Sequence, residues 1–251
     1  MADTKVEYLL RLADTALVLS QRLCEWSGKG PALEEDMALT NVALDLIGQA
    51  RFWYAYAGEL EGKGRDEDAL AFRRDAGAYR NLLLVEQPNG SYADTLARQF
   101  YFDTWHYLML QKLCASSDER IAGIADKALK EVAYHVRRSS DLVVRLGDGT
   151  ERSRAMMQQA FEDLWTWTGE LFEADAIDLA AAEQGLGSDP RSLRDAWLAH
   201  VGTVFRDATL ALPAADAWMQ KGGKRGVHTE HLGYLLAEMQ FLQRAYPAST
   251  W

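Results

Sequence analysis

The sequence predicts an all-α protein, a single domain over residues 1–251 that is built on a bundle of long helices. Three observations predict this class. Apolar residues recur at spacings of three and four and almost never alternate strictly, which is the period of an α-helix and not of a strand. The five prolines fall between the periodic segments and interrupt none of them. The sequence contains no strand-rich tract, fixed-period repeat or low-complexity linker.

Apolar periodicity places the helices in order along the chain. The segment 33–60 keeps one apolar stripe for about six turns, and the segment 121–146 keeps another. Between them, the segment 100–110 is apolar nearly all round, as expected for a helix that other helices surround. Further helices are predicted over residues 4–27, 66–84, 153–183, 191–211 and 228–245.

Local signals mark the ends of these helices. Asp118 precedes the helix over 121–146 as a side-chain cap, and Gly147 and Gly149 follow it. The longest break is the loop from Ala214 to Val227, which holds three glycines and three basic residues. The prolines lie where helices are expected to start or stop, at Pro31, Pro88, Pro190, Pro213 and Pro247.

Composition excludes several classes of function. The chain has 27 basic and 37 acidic residues, a net charge of −10, which argues against nucleic-acid binding through phosphate contacts. Its longest segment without charged residues, Ala196 to Phe205, is too short to span a membrane. The first ten residues lack the basic-then-apolar order of a secretory signal, and Cys24 and Cys114 make no disulfide framework. We therefore expect a soluble, cytoplasmic protein.

Motifs for phosphate binding, dinucleotide binding and serine nucleophiles are absent from the sequence. His228 and His231 have the spacing H-x-x-H, which on a helix would put both imidazoles on one face. Such a pair is compatible with metal binding. We favour the alternative, a helix start whose histidines make hydrogen bonds.

Two carboxylate–histidine pairs lie on the predicted long helices. Asp103 and His106 form D-x-x-H among aromatic residues, and Glu131 precedes His135 by four. Helical bundles that bind two irons use one Glu from each of two helices and E-x-x-H from each of the other two. Here no strict E-x-x-H occurs, and six inward-facing ligands cannot be assembled. We therefore favour a buried polar network over a working di-iron centre.

The sequence contains long, uncommon strings such as LLLVEQPNG and HTEHLG. With these strings, residues 8–251 closely resemble one family, the structural subunits of bacterial phenylacetyl-CoA epoxidases. The resemblance implies a ferritin-like helical bundle with additional helices. It also implies a homologous catalytic subunit as partner, which carries the di-iron site, together with small accessory subunits. A separate reductase with flavin and an iron–sulfur centre would supply electrons from NADPH. The complex would convert phenylacetyl-CoA into its 1,2-epoxide.

The same resemblance implies that this chain is not catalytic and holds no cofactor or metal. Compared with the catalytic subunits' ligand motifs, the string DLIGQ puts Leu46 and Gln49 at one E-x-x-H, and KEVAYH puts Val132 and His135 at the other. Asp103 matches a further carboxylate, and the first ligand glutamate falls near Gln21. Leu46 and Val132 cannot bind iron, so the resemblance implies a vestigial site in which Asp103 and His135 remain as a buried hydrogen-bonded pair or part of a network.

Two features of the sequence are candidates for contact with a partner. Trp53, Tyr54 and Tyr56 cannot all share one helix face, so at least one is either an exposed interface anchor or a cap on the core. The basic loop could contact an acidic partner or the phosphates of coenzyme A through Lys221, Lys224 and Arg225, although a solvated loop is the more common outcome. An independent di-iron oxidase or oxygenase and an unrelated small-molecule-binding helical protein are the alternative functions.

Overall fold

The computed structural model describes residues 2–214, 216–247 and 249, and for Ala2 only the backbone. Within these residues all regular structure is helical, which confirms the all-α prediction. The chain divides into two compact units. The first unit comprises Met1–Pro88 and Gly222–Trp251, and the second comprises Asn89–Lys221. The prediction of a single domain over residues 1–251 stays a prediction.

The first unit is built on a pair of long helices. Helix α1 (Ala2–Cys24) packs along α2 (Leu33–Glu61). Helix α2 ends at Gly62, whose left-handed φ of 66° lets its N–H donate to the carbonyl of Gly58. The predicted stripe of α2 is buried from Leu39 to Ala57, as its 3–4 spacing requires. The rest of the unit consists of the short helices α3 (Glu67–Phe72), α9 (Glu230–Met239) and α10 (Phe241–Ala245) and three 3-10 turns (Ala76–Ala78, Leu83–Glu86 and Gly223–Arg225).

The second unit surrounds helix α4 (Tyr92–Leu113). This helix packs against α5 (Glu119–Gly147), α6 (Glu151–Trp165) and α8 (Arg194–Asp207), so it buries residues nearly all round, as the apolar segment 100–110 predicts. Aromatic rings fill the space between them, with Phe161 and Phe205 4.6 Å apart at their centroids. Helix α7 (Ala176–Glu183) and the 3-10 turns Gly169–Phe172 and Pro190–Leu193 complete the unit.

Side-chain caps mark the start of helices α4, α5 and α6. The predicted cap Asp118 is confirmed, since its carboxylate accepts from the N–H groups of Arg120 and Ile121. Ser91 starts α4 with a reciprocal capping box to Asp94, and Thr150 starts α6 with one to Ser153. None of the helices in the described part of the chain combines the length and apolar composition that a membrane span needs.

Two of the predicted helices end far before their predicted last residues. The prediction over 66–84 fails because α3 ends at Phe72 and the chain then turns around the buried carboxylate of Asp14, to which Arg74 and the N–H of Arg80 donate. The prediction over 153–183 fails after Trp165, whose carbonyl accepts from the Thr168 hydroxyl at 2.8 Å.

Two further predicted segments differ less from the structure, and α1 ends at Cys24, three residues before its predicted end. The segment 191–211 forms helix α8 only to Asp207, after the 3-10 turn at Pro190–Leu193. The segment 228–245 starts at Glu230 and divides near Gln240. The amide of Gln240 donates to the carbonyls of Ala71 and Arg74, contacts that periodicity does not encode.

Candidate functional site

Three of the predicted ligand positions lie in the first unit. Gln21 is half-buried on α1, whereas Leu46 and Gln49 are buried on α2. Leu46 offers only hydrocarbon. The other three positions, Asp103 on α4 and Val132 and His135 on α5, lie in the second unit and are buried.

Asp103 faces the buried residues His135 and Ser139 of α5 and lies near Arg138. Burial raises the pKa of Asp103 to about 6, against the opposing effects of the His135 ring, the Ser139 hydrogen bond and the Arg138 charge. Its Oδ1 has no hydrogen-bond partner among the described residues. The neighbouring polar groups therefore only partly offset the cost of burying the Asp103 carboxyl group.

His106 lies one turn after Asp103 on α4 and is also buried. Its ring packs 4.9 Å from that of Phe102, between centroids. Burial lowers the pKa of His106 to about 3, and the nearby His135 acts in the same direction. The imidazole is neutral at physiological pH, and its Nδ1 has no hydrogen-bond partner within the described residues.

The H-x-x-H segment forms a different site from the one that its spacing suggests. His228 precedes the N-cap residue Thr229, so it does not lie on α9 with His231. Its Nδ1 lies 2.5 Å from Oε1 of Glu86, and its Nε2 lies 3.0 Å from the carbonyl oxygen of Tyr79. Because a carbonyl oxygen only accepts, Nε2 donates to Tyr79, and His228 and Glu86 form a buried hydrogen-bonded pair through Nδ1 and Oε1.

The Glu86 carboxylate accepts further hydrogen bonds, although Glu86 was not among the residues predicted for a site. Its carboxylate accepts from the amide of Asn81 at 2.8 Å and from the N–H and hydroxyl of Thr229 at 2.8 and 2.6 Å. Its backbone carbonyl accepts from Arg22 at 2.8 Å. The signal in the sequence is one acid inside the apolar string NLLLVEQ. Glu86 thus fixes the segment after Gly222 to the rest of the first unit.

A second buried cluster in the first unit was also missed. Asp14 is fully buried and accepts from Arg74, from the Tyr54 hydroxyl at 2.5 Å and from the N–H of Arg80 at 2.7 Å. The Arg74 guanidinium lies 4.4 Å from the centroid of the Tyr79 ring. Trp53 and Tyr54 are both buried, so neither is the exposed anchor considered above, and Tyr56 is half-buried.

The three basic residues of the 214–227 loop belong to different units. Lys221 is at the end of the second unit, with its Nζ 3.3 Å from Oε1 of Glu173. Lys224 and Arg225 lie in the 3-10 turn Gly223–Arg225 of the first unit. Their contact with a partner or with coenzyme A stays a prediction.

Comparison with known proteins gives these features a context. All 251 residues match the model of a family described as phenylacetic acid catabolic protein. The chain belongs to this family. It is 54% identical, over 244 residues, to the C subunit of the 1,2-phenylacetyl-CoA epoxidase of Escherichia coli (strain K12), and the match covers 97% of this chain and 98% of that protein. Membership of the phenylacetic acid catabolic family confirms the predicted ferritin-like class.

The side chains of this family member do not fit a di-iron centre. Leu46 and Val132, two of the six positions that the resemblance predicts to match iron ligands, have buried hydrocarbon side chains with no donor atom for iron. Within the described ranges, no group of three or more His, Cys, Asp or Glu side chains is arranged to hold a metal ion.

The Glu86 cluster of this family member gives a stability prediction. In Glu86→Gln, an amide that donates to Nδ1 of His228 also places its N–H against the amide of Asn81, which is itself a donor. We expect the free energy of unfolding to fall by about 1–3 kcal/mol because a buried acceptor is lost and a buried donor is left unmatched. Urea denaturation measures the loss, and limited proteolysis should show faster cleavage between Gly222 and Thr229.

Glu230→Gln is the matched control, since Glu230 is exposed and lies in the same segment. It should change the free energy of unfolding by less than about 0.5 kcal/mol. Equal stability of Glu86→Gln and the wild type would contradict the structural role of Glu86.

Proposed function

We propose that this chain is a non-catalytic structural subunit of a multicomponent 1,2-phenylacetyl-CoA epoxidase in the cytoplasm, where it supports a homologous catalytic subunit during aerobic degradation of phenylacetate. In this proposal the di-iron centre belongs to the catalytic partner. The reductase with its flavin and iron–sulfur centre passes electrons from NADPH to that partner, and small accessory subunits complete the assembly. The chain itself binds no cofactor.

One observation carries the proposal. Leu46 and Val132, which match ligand glutamates of the catalytic subunits, are fully packed hydrocarbon side chains in helices α2 and α5. A buried leucine or valine contributes to the core and supplies neither negative charge nor a ligand atom. The high identity to a protein named as a subunit of an epoxidase supports the same interpretation.

The structure also suggests how such a subunit does its work. A supporting subunit needs a rigid surface, because ordering flexible side chains and loops when the catalytic subunit binds would cost binding free energy. In the first unit, Asp14 and Glu86 each hold several segments together through buried hydrogen bonds. In the second unit, aromatic rings pack around α4. These features favour a rigid helical support.

Co-expression with the catalytic subunit from the same source tests the proposal. The chain purified alone should contain far less than one iron and should not turn over phenylacetyl-CoA with reductase and NADPH. The two chains together should co-elute as one complex, and this complex should contain the iron and, with the reductase, consume NADPH and form the epoxide.

Two results would contradict the proposal. About two irons bound per chain in the isolated protein, as in a complete carboxylate-bridged site, would favour an independent di-iron oxidase. Full turnover by the catalytic subunit without this chain would show that no structural support is needed.

A further inference from the structure

The outer face of helix α2 is apolar although it faces solvent. Leu33 is 72% exposed, Met37 57%, Leu44 61% and Ile47 44%. These side chains lie opposite the stripe that packs in the core, to which Leu39, Val42 and Leu46 belong. Scattered exposed apolar residues are common, but four on one face of one helix, with only Thr40 between Met37 and Leu44, form a strip that marks an interaction surface.

The spacing of these exposed residues along α2 indicates what kind of structural element can pack against them. Counted along α2, the positions follow steps of four and three residues without interruption: Leu33, Met37, Thr40, Leu44, Ile47 and Arg51. We call these six positions the α2 seam. Such a 3–4 alternation keeps side chains in line over about 27 Å, and its natural complement is a second long helix packed at a shallow angle. A loop or a sheet edge would not match it.

Helix α5 shows that a long helix of this protein need not have such a face. It has the same length as α2, 29 residues. Its exposed side is mainly charged and includes ion pairs between Lys130 and Asp126 and between Arg145 and Asp141. Charged residues of this kind are typical of a face that stays in water. The apolar outer face therefore distinguishes α2 from α5.

Charge argues against a second copy of this chain as the partner. The first turn of α2 is acidic, and Glu34 and Asp36 flank the seam beside Leu33 and Met37. The chain as a whole carries a net charge of −10, which disfavours pairing of two copies. Arg51, the basic residue at the other end of the seam, already pairs with Glu67 at 3.3 Å. A helix with basic residues beside its own apolar seam would instead be attracted to this end of α2.

We propose that the α2 seam is the docking surface for a long helix of a different subunit, one that presents apolar residues at 3–4 spacing and basic residues at its flanks. This inference rests on the proposed function, in which the chain works inside a hetero-oligomer. A standard interface buries about 800 Å² on each partner, so the seam forms the centre of a larger contact. Leu44 is the central anchor, because it is highly exposed and lies in the middle of the seam.

The test uses the full-length chain and the co-expressed catalytic subunit. Leu44→Glu puts a charge at the centre of the seam, where it would be buried on docking. We expect it to weaken the complex at least about 100-fold in Kd, measured by biolayer interferometry, while the circular dichroism spectrum and Tm of the isolated chain stay unchanged. Leu44→Ala should weaken it about tenfold. Met156→Glu on α6 is the matched control: Met156 is 42% exposed but lies off the seam, and its affinity should equal that of the wild type.

The outcomes separate this inference from the proposed function. If the wild-type chain forms no complex with the catalytic subunit, the proposed function and the inference both fail. If the complex forms and Leu44→Glu binds as well as the wild type, the proposed function stands, but the inference that the α2 seam is the docking surface is wrong. If sedimentation of the isolated wild type shows a dimer that Leu44→Glu converts into a monomer, the occupant is a second copy and the inference of a different subunit is wrong. Equal weakening by Met156→Glu would also overturn it.

Discussion

Asp14→Ala is expected to lower the free energy of unfolding by about 3–5 kcal/mol, the usual cost of removing one partner from a buried ion pair. The Asp14 carboxylate is fully buried and accepts hydrogen bonds from Arg74, Tyr54 and the N–H of Arg80. Without it, the Arg74 guanidinium stays buried beside Tyr79 with no counter-charge from position 14. Urea denaturation followed by circular dichroism measures the loss.

Two further variants isolate the cause. Asp3→Ala removes an exposed acid from the same helix, and we expect it to change stability by less than about 0.5 kcal/mol. The double replacement Asp14→Leu with Arg74→Met removes both charges, so its loss should be smaller than the sum of the single losses. Additive losses would show that the two side chains are not coupled.

His106→Gln is expected to change how stability depends on pH. The folded chain keeps His106 neutral down to a pKa of about 3, whereas an unfolded chain protonates this residue near its ordinary pKa of 6.5. Between these values the unfolded state binds more protons, so the wild type loses up to about 1.4 kcal/mol per pH unit from this residue as pH falls. Relative to the wild type, His106→Gln should therefore gain stability on acidification below pH 6.5.

Asp103→Asn is expected to change the pH dependence of stability in the opposite direction from His106→Gln. Asp103 titrates at a pKa of about 6 in the folded chain and near 3.8 when unfolded, so between these values the folded state holds the extra proton. The wild type gains stability from Asp103 as pH falls, up to about 3 kcal/mol in all, and Asp103→Asn removes this gain. Relative to the wild type, the Asn variant should lose stability between about pH 6 and pH 4.

Chemical denaturation at half-unit steps from about pH 7.5 to about pH 4 checks both signs. Each variant serves as the control for the other, because Asp103 and His106 lie one turn apart on the same helix and have opposite expected slopes. Parallel stability curves for the wild type and both variants would contradict the buried environments of these two groups.

Much of the helical fold could be predicted because its determinants are local. Asp118 caps α5 with its own side chain, and the periodic segments around Leu46 and Val132 are buried on the faces that the 3–4 spacing indicates. The errors have a common cause. The helices over 66–84 and 153–183 end early because Asp14 and Thr168 offer contacts that compete with helix continuation, and residue periodicity carries no information about such contacts.

The polar clusters likewise divide into those that the sequence could predict and those that only long-range contacts reveal. Asp103 and His106 could be singled out because a carboxylate and an imidazole stand inside the aromatic string FYFDTWHYLML. The Glu86–His228 pair could not, since its two members lie 142 positions apart and meet only when the segment after Gly222 folds back onto the first unit. His228 and His231 suggested a shared helix face because the start of α9 at Glu230 was not evident.

The sequence by itself determined the all-α class, the family and the absence of metal-binding side-chain atoms at positions 46 and 132, because helix period, long uncommon strings and side-chain identity are properties of the chain alone. Only the tertiary structure decided which polar groups are buried together and which apolar faces stay exposed. Asp14 with Arg74, Glu86 with His228 and the solvent-facing α2 seam all follow from packing between segments distant in sequence. Burial then sets the free energies of these groups, since the cost of a charge and the value of an apolar surface depend on what surrounds them.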